Sequence, residues 1–335
     1  MHKYQFLKRL LPVTAILAVL ILVASSTKAF ATFPGESSKW NQENVNGQTL
    51  QTLSQYSEAR TVGSFTLIRM WRGESDDQVW FSFGNGPSAA IGNFNLGSTR
   101  TYLAPVIVPY GQNSYMALHV GTDDHIYYAM IYLNNSGEYQ SWTGYWTVIS
   151  GQTTPYPVSA VQYNVNCGCI YLVYAGYNNL NVYGMWFDGS TWHDGGSISN
   201  GQIYGWPSVT YNPIVNSLTI VGMGTNSVVW VTSQLIGASS WPDWSSTGLY
   251  TLYSPTIATD NVGNFIIGGT QSNTIPWYAL FDEDFNFESY EADPTNWRTN
   301  NPVTIATNGY LMYALIIGLD HVANWRQLFN PYAGK

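Results

Sequence analysis

The sequence predicts an all-β fold, a β-propeller of six four-stranded blades closed by an N-terminal strand that completes the last blade. Three observations predict it. Only 10% of the 335 residues are charged while 16% are aromatic, a balance that favours short strands and turns over long helices. A strand opening on proline recurs as "APVIVPY", "YPVSAVQY", "WPSVTYN", "SPTIATDN" and "NPVTIATN", with Pro105, Pro157, Pro207, Pro255 and Pro302 at steps of 52, 50, 48 and 47. A step near fifty residues suits one propeller blade. Each proline strand is followed by two more β segments joined by Gly, Asn and Asp turns, as in "CIYLVYAG" and "LNVYGMWF", residues that supply positive φ or side-chain turn bonds.

The elements follow in chain order. Lys3, Lys8 and Arg9 precede an apolar run over residues 10–24, and Ala29-Phe30-Ala31 follows it. That pattern is a secretory signal over residues 1–31, or a retained signal anchor, with residues 32–335 forming one propeller domain outside the cell. Cleavage would remove four of the twelve basic residues and none of the twenty acidic ones, leaving a net charge of −12. Such a surface repels phosphate backbones, so nucleic acid is not an expected partner. A membrane contact is expected only if the apolar segment stays attached.

Residues 37–51 resemble an outer strand with no blade before it, and the last repeat stops after three strands. A ring leaves no bare edge if the two combine, so residues around Trp40 are expected to pair with Val322–Phe329. The first blade follows, with "SFTLIRMWRG", "QVWFSFGNG" and "SAAIGNFNLG" as its second to fourth strands. Its first strand, near Arg60, lacks the proline. The five proline repeats then supply the remaining blades, whose aromatic residues fill the wedges between neighbouring sheets.

The repeat "GTDDHIYYAMIYLNNSGEYQSWTGYW", from Gly121 to Trp146, has a near copy from Gly224 to Trp244. With "YPV" opening the next blade, it resembles the repeat of secreted propeller lectins of the Photorhabdus fucose-lectin type. That family usually closes with seven blades and six are counted here, so its residues are not carried over by blade number. The resemblance implies binding of glycans or cell-surface glycoconjugates in shallow pockets between or above blades. A sugar offers a C–H face to an aromatic ring and hydroxyls to amides and carboxylates. The candidates are Trp142, Trp146, Trp192, Trp241 and Trp244, with Asp123, Asp124 and Asn226, and with Asp188 and Asp243 nearby.

No motif for metal, phosphate or nucleophilic chemistry is present, and no cofactor is implied. "FDGSTW" (187–192) is one residue short of the sialidase turn signature, and "DEDFNFESYEAD" (282–293) has Phe287 where a calcium loop requires Gly. Both are expected to be hairpin turns. Cys167 and Cys169, two apart, are expected to have a local structural role, because strand positions i and i+2 pair awkwardly unless Gly168 makes a turn. Two other functions stay open beside glycan binding: an extracellular scaffold that binds proteins, and a propeller glycoside hydrolase or lyase, whose paired carboxylates sequence cannot place.

Overall fold

Each blade is an antiparallel sheet whose middle strands are sandwiched between neighbouring blades. The second strands therefore read as continuous apolar runs: all residues of Cys169–Ala175, Ser217–Met223 and Phe265–Thr270 are buried. Outer strands face water and are mostly exposed, as in Ser245–Tyr250. The computed structural model describes residues 39–60, 67–84, 90–111, 113–307 and 311–329. The expected signal segment, residues 1–31, lies outside them.

Among the described residues there are six sheets and no helix. Blade I comprises Ser57–Arg60, Leu67–Arg72, Gln78–Gly84 and Ala90–Arg100. Blade II comprises Val106–Pro109, Ser114–Val120, His125–Leu133 and an outer strand in two pieces, Tyr139–Trp142 and Thr147–Thr153, both paired to His125–Leu133. Blade III is Ser159–Asn164, Cys169–Ala175, Asn181–Phe187 and Trp192–Gln202; blade IV is Ser208–Asn212, Ser217–Met223, Val228–Leu235 and Ser245–Tyr250. Blade V is Thr256–Thr259, Phe265–Thr270, Pro276–Phe281 and Phe287–Ala292. Blade VI is Thr304–Thr307, Met312–Ile317 and Ala323–Phe329, completed by Asn41–Gln42.

The closure matches the expectation: Asn41 pairs with Trp325 and Gln42 with Asn324. The rest of that segment behaves differently. Asn44–Val45 and Gln48–Thr49 form a small hairpin at Asn46-Gly47, both at positive φ, and Val45 meets Ala90 of blade I. Asn-Gly is the usual residue pair for such a tight turn, so the chain folds back instead of running on as one strand. The segment thereby joins blade VI to blade I. Glu43 reinforces the joint, its carboxylate 2.8 Å from Arg69 Nε of blade I, with Glu58 3.1 Å from the same atom and all three side chains buried. A second buried ion group lies between blades V and VI, where Arg326 faces Glu291 and Asp293, each at 3.4 Å.

The inner strands neighbour one another round the axis, Thr304–Thr307 lying beside Ser57–Arg60 to close the ring. Hydroxyls stitch them. Ser57, Ser159, Ser208 and Thr256 accept from the backbone N–H of Ile107, Val209, Ile257 and Ile305 on the next blade, at 3.0–3.2 Å. Each bond satisfies an N–H of an innermost strand that has no further strand to pair with. The prolines sit immediately before these strands, where no N–H is required.

Candidate functional site

One end of the ring is built from a turn repeated in all six blades. Asp76, Asp123, Asn179, Asn226, Asn273 and Asp320 each accept, through a side-chain oxygen, the backbone N–H two residues on, at 3.0–3.3 Å. The residue after each is left-handed: Asp77, Asp124, Leu180, Ser227, Thr274 and His321 have φ between 57° and 69°. Its carbonyl in turn accepts from the chain passing to the next blade, as Ser227 does from Thr251 N–H at 3.0 Å. An aromatic ring four residues beyond the Asx residue often lies against it. Trp80 donates to Asp76 at 3.0 Å and Tyr127 to Asp123 at 2.8 Å.

Between blades III and IV this rim opens into a cleft of about 520 Å³, lined by Ser199, Gln202, Asn226, Trp230, Asp243 and Trp244 among others. Its shape follows from two glycines. A β-carbon at Gly224 would lie 2.6 Å from Trp230 Nε1, and one at Gly201 would collide with the indole nitrogen of Trp244. Both indoles therefore lie flat on bare backbone. Trp244 is further fixed by donating to the Ile198 carbonyl at 3.3 Å. The polar groups are set by the same loops: Ser199, left-handed at φ 48°, donates to Asp243 at 3.0 Å, and Gln202 donates to the Asn179 carbonyl at 3.4 Å. The result is an aromatic floor with amide, hydroxyl and carboxylate groups at its edge, an arrangement able to bind a ligand.

The corresponding place between blades V and VI is a cleft of about 430 Å³ lined by Thr295, Asn296, Trp297, Arg298, Leu319 and Asp320. Trp40 of the N-terminal segment packs 6.3 Å from Trp297 and donates to Asp293. Between blades I and II, the equivalent tryptophan, Trp146, donates to the Leu96 carbonyl at 2.8 Å. There the buried His119 ring meets it edge-on at 4.4 Å and stacks with Tyr127 at 5.4 Å. An axial cavity of about 150 Å³ is lined by the inner strands, with apolar side chains, the hydroxyls of Ser57, Ser159, Ser208 and Thr256, and Gln55 and Glu58.

The candidates from sequence are thus dispersed. Trp244, Asn226 and Asp243 come together in the III/IV cleft. Trp142 packs 6.4 Å from Trp146 and over Gly97. Trp192 packs, partly buried, against the core between blades II and III, beside Phe187 and Tyr128, and Trp241 donates to the Tyr171 hydroxyl at 3.3 Å. Asp123 and Asp124 form the blade II turn. Asp188 accepts from Ser190 and Thr191 N–H, both at 2.8 Å, and meets His193 at 2.7 Å. That histidine first, and then those N–H groups, hold its carboxyl well below the usual range. Asp282 likewise accepts from Asp284 and Asn286 N–H, so "DEDFNF" is a hairpin turn. Trp230, Trp297 and Trp40 were not among the candidates. Among the described residues no three His, Cys, Asp or Glu side chains converge as a metal site.

No protein-family model matches the sequence, and no curated protein does. Solved structures do. AofleA from Arthrobotrys oligospora aligns with TM-score 0.66 at 10% identity, over 90% of this chain and 88% of that one. The likeness is one of fold. A single-site variant of the Aleuria aurantia lectin, in complex with Fucα1-6GlcNAc, aligns at TM-score 0.60 and 11% identity over 83% of this chain and 93% of the lectin, itself a six-bladed propeller. A Dyadobacter fermentans protein of unknown function aligns at TM-score 0.62 and 10% identity, over 90% and 99% of the two chains. Six blades, and not the seven usual for the Photorhabdus type, are what this chain shares with the Aleuria lectin.

Proposed function

We propose that this chain is a secreted, lectin-like protein that binds a carbohydrate in the cleft between blades III and IV without transforming it. The observation that carries the reading is the pair of indoles, Trp230 and Trp244, laid on Gly224 and Gly201 beside Asn226, Gln202, Ser199 and Asp243. A pyranose ring presents C–H bonds to such a floor and hydroxyls to such a rim. The cleft volume lies within the range of small-molecule sites, ~300–1,000 Å³.

Fucosides are the first ligands to test. The Aleuria lectin is solved with Fucα1-6GlcNAc and with α-methyl-L-fucoside, and SapL1 lectin with α-methyl fucoside. The Photorhabdus-like repeat grammar supports the same class. Secretion rests on the signal pattern of residues 1–31. The test is a glycan array with the purified protein, followed by titration of each bound glycan against Trp244→Ala. Retention on fucosylated glycans, lost in the variant, supports the reading; an array without binding refutes it.

A further inference from the structure

At the other end of the ring, the turn between the first two strands of blade III holds a disulfide between Cys167 and Cys169. The turn at Gly168 (φ 64°) resolves the awkward i and i+2 spacing and brings the two Cα atoms to 5.2 Å. We propose that this disulfide is an exchange site for thiols, reduced and re-formed on the folded protein, and that Cys167 is the sulfur attacked.

Four features lead there. A disulfide stabilises more the longer the chain it closes off, and one that joins residues two apart closes the shortest of loops, so stapling is the weakest account of it. The hairpin is held without it. Ser159–Asn164 pairs along Cys169–Ala175, with Asn164 opposite Cys169. Tyr110 of blade II packs on the turn so closely that a β-carbon at Gly168 would lie 2.5 Å from its ring, and its hydroxyl donates to the Gly189 carbonyl at 3.0 Å. The two thiols therefore stay adjacent after reduction. Finally, the two sulfurs differ in access: Cys167 is partly exposed in the turn, whereas Cys169 is buried at the start of its strand. An outer sulfur open to attack with a sheltered partner beside it is the arrangement exchange requires. Cys167 Sγ lies 3.6 Å from the Asn164 carbonyl, to which the free thiol would donate.

The step is balanced with an external dithiol. Its thiolate attacks Cys167 Sγ and forms a mixed disulfide, the Sγ–Sγ bond breaks, and Cys169 leaves as a thiolate that takes up a proton. The second thiol of the reagent then attacks its own sulfur in the mixed disulfide and releases the Cys167 thiol. Two electrons and two protons pass to the protein, and the reagent becomes a disulfide.

The experiment treats the native protein with dithiothreitol and traps thiols by alkylation, read by mass spectrometry, with near-ultraviolet circular dichroism followed in parallel. The proposal expects both cysteines to be reduced with the dichroism unchanged, and to re-form the bond on removal of the reagent. With oxidised glutathione, Cys169→Ser should capture glutathione on Cys167 at least tenfold faster than Cys167→Ser captures it on Cys169. Reduction only in denaturant, loss of the dichroism on reduction, or equal capture by the two variants would overturn it.

Discussion

Two buried titrations of opposite sign act on the stability of this protein, and two single substitutions should separate them. His119 is fully enclosed between Trp146 and Tyr127. Burial lowers its pKa from 6.5 to about 4. Between those values the unfolded chain binds a proton that the folded protein refuses, so stability rises with pH and is lost as pH falls towards 4. Glu291, buried beside Asp293 and Arg326, is shifted upward from 4.5 to about 7, first by burial and then by the Asp293 charge. Here the folded protein keeps a proton that the unfolded chain has released, so stability is greatest below 4.5 and is lost as pH rises towards 7. Each slope is up to about 1.4 kcal/mol per pH unit. From about pH 5 to about pH 6.5 each therefore amounts to roughly 2 kcal/mol, in opposite directions. Urea unfolding of the wild type across that range gives the reference curve. Relative to that curve, His119→Phe, which keeps the ring stack, should lose up to about 2 kcal/mol as pH rises, and Glu291→Gln should gain in the same range. The double variant should fall between the two single variants. Curves for both single variants that run parallel to the wild type would refute the reasoning.

Two further outcomes follow from the ring. Ser208→Ala removes the hydroxyl that accepts from Ile257 N–H at 3.2 Å and leaves that inner-strand N–H unsatisfied, so unfolding free energy should fall by about 1–3 kcal/mol in a denaturant titration. Leu180 occupies the left-handed position of the blade III turn at φ 57°, where a branched apolar residue is strained. Leu180→Asn should raise the melting temperature through a gain of roughly 0.5–1 kcal/mol, seen by scanning calorimetry.

What could be read from the sequence was what repeats locally. The prolines before each inner strand and the Gly-to-Asx turns mark blades because each solves a backbone problem within a few residues. Pro105 and its counterparts need no N–H, and Asp123 and its counterparts bond two residues on. The left-handed position shows the limit of that legibility. Asp77 and Asp124 suit it, but Leu180, Thr274 and His321 fill the same place with no compositional sign, because the turn and the passing chain impose it. The Asn46-Gly47 hairpin was a legible turn signal inside a segment otherwise read as one strand.

The candidate site was legible only in its residue types. Whether a tryptophan lies on a cleft floor or in the core depends on partners far along the chain. Trp244 rests on Gly201, Trp192 reaches Tyr128 of the neighbouring blade, and Trp40 reaches Trp297 from the other end of the sequence. Nothing within a few residues of any of them distinguishes these fates. The glycines that flatten Trp230 and Trp244 had the clearest meaning once the pairing was known.

Gly201→Ala tests the glycan-binding account most directly, because it keeps every side chain of the III/IV cleft and displaces Trp244 from the backbone it covers. In a calorimetric titration with the fucosylated glycan retained best by the wild type, affinity should fall at least tenfold, about 1.4 kcal/mol, while the melting temperature stays within a few degrees. Undiminished affinity in both Gly201→Ala and Trp244→Ala, with the fold intact, would contradict the account.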